Sequence, residues 1–210
     1  MTGLKGRRLP LVVLVAAVAA LIASLVWATG NRSGPPGPGR GPMMGVVSHE
    51  QPVHNIADAK RAAARFADRW GLHVGEIMQF SKNYYAELLD RGGKRATEVI
   101  VDPGSGIVQL EFGPAMMWNT SYGMMRVPEP TGTAAIGPDQ AVRIADGWLT
   151  EHRTGLPAAE PDQFPGYYTL HTLRDTHIVG MLSVNATTGE VWYHTWHGRF
   201  IQMQEPRSSA

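Results

Sequence analysis

The stretch AARFADRW at residues 63–70 returns as AVRIADGW at residues 141–148, with five of eight positions identical and an offset of 78. A chain that repeats itself at this distance is built from two related units, and any fold assigned to it must be made twice. In each copy the apolar positions fall at i, i+3, i+4 and i+7: Ala63, Phe66, Ala67 and Trp70, then Ala141, Ile144, Ala145 and Trp148. That spacing predicts an amphipathic helix with one apolar stripe ending in an indole. Asn55 followed three residues on by Asp58 predicts a capped start for the first helix. Gly137-Pro138-Asp139 predicts a start for the second, with proline in the first turn and an acid suited to the helix dipole.

A second match, offset by 83, follows each helix. Tyr84 and Tyr85 correspond to Tyr167 and Tyr168, Arg91 to Arg174, Val101 to Val184, Gly106 to Gly189 and Val108 to Val191. Each copy then reads as three short strands, at 84–89, 94–102 and 107–112 and at 167–173, 177–185 and 190–196. The five extra residues of the second copy fall in an expected loop at 154–166. The turns DPGSG at 102–106 and NATTG at 185–189 offer an Asx start and a glycine for positive φ. Alternation assigns Val99, Val101, Val108 and Leu110 to one face, and Leu182, Val184, Val191 and Tyr193 to its counterpart. The expected fold is therefore α+β, two tandem units of a helix laid across an antiparallel sheet.

The hairpins VIVDPGSGIV (99–108) and LSVNATTGEV (182–191), behind their alanine-rich helices, resemble the terminal hairpin of the PepSY family of small extracytoplasmic domains. The resemblance covers residues 54 to 200 as two copies. Asn185 departs from the usual acid, and the MMWN segment at 116–119 is not explained by the family hairpin. What the resemblance implies is a non-enzymatic module at a membrane, of a kind associated with peptidase inhibition or with sensory and redox membrane proteins.

Residues 11–28 carry no charge and follow Lys5, Arg7, Arg8 and Pro10. At about 1.5 Å per residue they approach the roughly 30 Å of bilayer hydrocarbon, and the basic flank holds the N-terminus inside. A retained anchor is expected in preference to a signal peptide cut after Ala28. The expected organisation is a stub and transmembrane anchor at 1–29, a Gly/Pro-rich tether at 30–53, one unit at 54–128, a second at 129–201 and a tail at 202–210. The bulk of the chain would lie outside the membrane, periplasmic or at the cell surface. With 19 basic and 18 acidic residues, nothing in the charge recommends nucleic acid as a partner. The absence of cysteine excludes disulfides and thiolate sites.

Two clusters carry candidate chemistry. Met116, Met117, Met124 and Met125 flank Trp118 and Tyr122, and thioethers are soft ligands suited to copper(I), with His49 or His54 as additional donors. Packing against aromatic rings at the junction between copies is the role expected of these methionines, with copper(I) binding as the alternative. In WYHTWH (192–197), strand alternation puts Trp192, His194 and Trp196 on one face and His197 on the other, so the two histidines are not expected to share an ion. The aromatic face is expected to form the seam between units. His171 and His177 lie across an expected hairpin, where they are expected as a solvated pair rather than as a site. Asp68 and Asp146 recur at one helix position, which suggests a structural role. No G-x-S-x-G, H-E-x-x-H, Walker or dinucleotide motif occurs, and no catalytic residue is assigned. The function expected is non-catalytic binding of a protein or peptide partner, with copper binding by the methionines as the alternative.

Overall fold

The structure, a computed structural model, describes residues 51–124, 136–152 and 154–204. The expected membrane span at 11–28, most of the tether and Met125 lie outside them. Among the described residues no helix is long and apolar enough to cross a membrane.

The first unit opens with α1 (Ile56–Asp68), followed by β1 (His73–Phe80), β2 (Tyr84–Leu89), β3 (Arg95–Val101) and β4 (Val108–Leu110). A short helix, α2 (Pro114–Met117), leads out of it. The second unit has α3 (Pro138–Glu151), then β5 (Ala158–Phe164), β6 (Tyr167–Arg174), β7 (His177–Asn185) and β8 (Val191–Tyr193). A final strand, β9 (Phe200–Gln204), ends the described chain.

Both helices start where the sequence predicts. The Asn55 side chain accepts the Asp58 N–H at 2.9 Å, while Asp58 Oδ2 accepts from Asn55 Nδ2 and from the His54 N–H. Pro138 occupies the first turn of α3, where the N–H that proline lacks would have had no intrahelical partner. In α1 the buried stripe is Ala59, Ala62, Ala63, Phe66 and Ala67, and Trp70 leans on the same core from just beyond the helix end. In α3, Ala141, Ala145 and Leu149 are buried, while Ile144 and Trp148 are half-buried against their core. The stripe expected to end on Trp148 is thus centred one residue further on, at Leu149, because the indole lies flat between His152 and Tyr193 at the edge of the core.

The sheets are antiparallel and share one strand order. The first runs β4-β3-β2-β1 and the second β8-β7-β6-β5, with β9 added outside β1 in the first. Val99, Val101, Val108 and Leu110 face α1, and Leu182, Val184, Val191 and Tyr193 face α3. Turn chemistry matches as well: Asp102 Oδ1 accepts the Ser105 N–H, Asn185 Oδ1 accepts those of Thr187 and Thr188, and Gly106 and Gly189 sit at φ +70° and +76°.

Three strands depart from the expected outline. β1 had no counterpart in the three-strand reading. β5 occupies the segment read as a loop, and Pro161 within it is tolerated because β5 is an edge strand. β9 crosses the boundary expected at 201 and returns to the first sheet, pairing Met78 with Met203 and Phe80 with Phe200.

The faces turned away from the helices meet each other, giving helix, sheet, sheet, helix. Part of that contact is apolar, with Met78, Phe80 and Tyr85 against Met181. Much of it is not: Glu98, Glu111, Thr169, Ser183, His194 and His197 are buried there. The MMWN connector closes one side. Asn119 donates to Ala96 O at 2.8 Å and accepts from the N–H groups of Ser121 and Tyr122, and Thr120 N–H reaches Pro165 O in the second unit.

Because each helix covers its own sheet, comparable truncations in the two cores should cost comparable amounts. Phe66→Ala is expected to destabilise the fold by about 3–5 kcal/mol and Leu149→Ala by about 2–5 kcal/mol, read from urea denaturation. A loss below about 1 kcal/mol at either site would mean that its helix does not hold the core.

Candidate functional site

The inner faces of the sheets carry the site because period-two alternation leaves each strand a second face after the helix side has been satisfied. On β3 that face presents Glu98, whose Oε1 and Oε2 accept from Tyr85 OH and Tyr167 OH, both at 2.7 Å. Tyr85 belongs to the first sheet and Tyr167 to the second, so one carboxyl group joins them. Burial, and then the charge of Glu111, push the Glu98 carboxyl well above its ordinary range, against hydrogen bonds from Tyr85, Tyr167 and Thr169. Burial and the neighbouring carboxylates push both tyrosines up as well, so their hydroxyls stay protonated donors.

Immediately after β4 comes Glu111, fully buried, held by its N–H on Glu98 O. β8 ends at Tyr193, and residues 194–197 turn instead of continuing as a strand. This overturns the alternation argument that separated His194 from His197, since a turn brings both rings to one side. His197 Nε2 lies 2.7 Å and His194 Nδ1 3.3 Å from the same oxygen, Glu111 Oε1. The three donor atoms lie within 4.8 Å of one another. Burial alone would raise the Glu111 carboxyl, but the adjacent His194 and His197 outweigh it and hold the group well below the ordinary carboxylate range.

The outer nitrogens of both rings are held. His197 Nδ1 lies 2.8 Å from Asn83 Oδ1, and Asn83 Nδ2 donates to Trp196 O, which orients the amide. His194 Nε2 lies 3.0 Å from Ser183 Oγ, itself 2.9 Å from Thr169 Oγ1. Trp196 Nε1 donates to Glu111 Oε1 at 3.2 Å and its ring stacks on His194. Against family models, curated proteins and solved structures, the chain matches nothing. The site is therefore read from its own residues.

Above the buried group the surface is aromatic. Phe112 meets Trp196 edge to face, and Trp118 meets Trp192 in the same way. Gly113 joins the two pairs, because a Cβ there would lie 2.9 Å from the Trp192 ring. Phe112 and Trp192 remain 42% and 37% exposed. Beside them a groove of about 330 Å³ is walled by Phe112, Trp196, Asn83, Lys82 and Asp102 and floored by Ile100 and Gln109. Of the aromatic face expected at a buried seam, Trp196 is half-buried and Trp192 exposed, so these rings form an open rim instead.

Other expected residues are placed as follows. Met116 packs with Tyr122 on the first core, Met117 and Met124 lie at the surface, and Met124 N–H bonds Met116 O. His54 is exposed. Asp146 takes the Ala158 N–H at 2.8 Å, fastening β5 to α3, which is a structural role. His171 and His177 are not a solvated pair: His171 pairs with Met181 in register and is largely buried, while His177 sits at the hairpin end opposite Arg174. His171 instead lies 3.7 Å from Glu76 across the seam.

Burial, followed by the positive charge of Arg95 and of His194, lowers His171 from 6.5 to about 4. The ring is thus neutral at pH 7, and the Glu76 contact is not an ion pair there. The unfolded chain takes up this proton near pH 6.5 and the folded chain only near 4, so stability is full above 6.5 and falls between these values. The loss is on the order of 3 kcal/mol at about 1.4 kcal/mol per pH unit. Urea denaturation across pH 7 to 4 is expected to show a shallower decline for His171→Gln than for the wild type. Parallel declines would assign the acid sensitivity to other groups.

Proposed function

We propose that this chain is a non-catalytic, PepSY-like binding module, held outside the membrane by residues 11–28 through the Gly/Pro tether, which takes an extended segment of a protein or peptide partner. The observation that carries this reading is the open aromatic rim of Phe112 and Trp192 beside the groove over β3 and β4. Large rings left exposed together beside a concavity are a common feature of interaction sites. β4 is the outer strand of its sheet, where an incoming strand finds backbone partners. Lys82 and Asp102 on the walls favour a segment of mixed charge, and the rings of Phe112 and Trp196 favour an apolar anchor within it.

Two outcomes are expected. A displayed peptide library selected on the full chain should yield extended sequences whose affinity falls at least about tenfold in Phe112→Ala and in Trp192→Ala, with thermal stability retained. Failure to enrich any sequence, or binding indifferent to both substitutions, would remove the reading. In cells, the chain is expected to sediment with membranes and its bulk to be digested by external protease, and deletion of residues 11–28 should move it to the soluble fraction. Protection from external protease in intact cells would reverse the assigned side.

A further inference from the structure

We propose that Glu111, His194 and His197 form a binding site for one divalent transition-metal ion of the zinc class, buried between the two sheets. The inference does not depend on the peptide-binding reading.

The donor set comes first. Two imidazole nitrogens and a carboxylate suit zinc(II) and its divalent neighbours better than copper(I), which prefers thiolates and thioethers. All three residues are at most 4% exposed. Around a tetrahedral zinc with ligands at about 2.0–2.1 Å, donor atoms stand roughly 3.3–3.4 Å apart. The pairs formed by Glu111 Oε1 with His197 and His194, at 2.7 and 3.3 Å, need only a small expansion to admit an ion. With three protein donors, a fourth position stays open.

Next comes the direction of the rings. Although His194 Nδ1 and His197 Nε2 are close to Glu111, they are not aligned with it as hydrogen bonds, and Glu111 Oε2 has no hydrogen-bond partner either. Three buried polar atoms of one cluster are therefore left short of partners, an arrangement that calls for a further group between them. The outer nitrogens complete the case. Asn83 Oδ1 can only accept, so His197 carries its proton on Nδ1 and turns the Nε2 lone pair inward in the neutral ring. Ser183 holds Nε2 of His194 and leaves Nδ1 facing the same point. Ligating histidines are oriented by a hydrogen bond at the outer ring nitrogen, the place taken here by Asn83 and Ser183. Trp196 donates to the ligand oxygen and stacks on His194, and it lines the adjoining groove together with Asn83. The competing occupant is a proton, which would make the cluster an ion-paired staple between the units.

Titration of the full-length chain in detergent, after stripping with a chelator, decides between them. The proposal expects one zinc(II) per chain, a rise in thermal midpoint with zinc(II) but not with magnesium, and visible d–d bands of a four- or five-coordinate site with cobalt(II). Glu111→Gln and His197→Gln are expected to lower zinc affinity at least about a hundredfold, and Asn83→Leu, which frees the His197 ring, by about 10–100-fold. A Met116→Leu/Met117→Leu variant should bind as the wild type does. Absence of stoichiometric uptake by the wild type, or uptake equal in the Glu111 and His197 variants, overturns the site. If those two variants fail to fold, the wild-type stoichiometry, the cobalt spectrum and the Asn83→Leu affinity still decide it.

Discussion

Glu98 sits with no solvent exposure between two β-sheets, where it is shared by a tyrosine from each. Burying a carboxyl group is unfavourable unless its oxygens are hydrogen-bonded, and here both are. The consequence is mutual dependence, since neither sheet alone supplies both hydroxyls. Pulling the sheets apart would expose the carboxyl but also strip the tyrosines of their acceptor. The polar layer thereby fixes one relative placement of the two halves, which an apolar contact of the same area would specify less sharply. Arg95 adds to this at the margin, bridging Glu87 of its own sheet at 3.0 Å and Asp162 of the other at 2.5 Å.

Along the same seam the character of the buried groups changes. Near β2 and β6 the acid is raised by burial and by the charge of Glu111, against the hydroxyl donors that meet it. At the ends of β4 and β8 the acid is met by imidazoles and lowered. Two carboxyl groups linked through the β3–β4 ladder are thus pushed in opposite directions by their surroundings, and such a contrast is often found where a fold carries chemistry as well as stability. The aromatic rim lies over the second of them, which places the open surface and the buried ligand set at one end of the sandwich.

Much of the architecture was legible because it depends on period. The stripe of α1, the helix-facing strand residues and the turn residues follow from spacing and from the conformations that Asn, Asp, Pro and Gly favour, and they appear as expected, whereas the stripe of α3 ends on Leu149. The inner faces were harder to read, since alternation says that a residue points away from the helix but not what it meets there. β1 and β5 were missed for a local reason: HVGEIMQF carries a glycine and a glutamate at its centre, and AAEPDQF carries proline and acids, so neither looks like a strand until its neighbours pair with it. The site residues were missed for a related one. Extending β8 through residue 197 put His194 and His197 on opposite faces, whereas the chain turns after Tyr193, and no local signal marked Glu111 as their partner. The short HTWHG run, with a glycine at φ +78° closing it, was the available hint that the strand had ended.

The last strand gives the duplication an unequal history. β9 leaves the second unit and completes the first, so the chain is not a pair of beads that a cut near residue 128 would separate. A fragment holding only the first repeat would leave the outer edge of β1 bare, with Ile77, Met78 and Phe80 beside it, and such an edge invites self-association. During synthesis that edge waits until the entire second repeat has emerged. The first repeat is therefore the earlier to be made and the later to be finished.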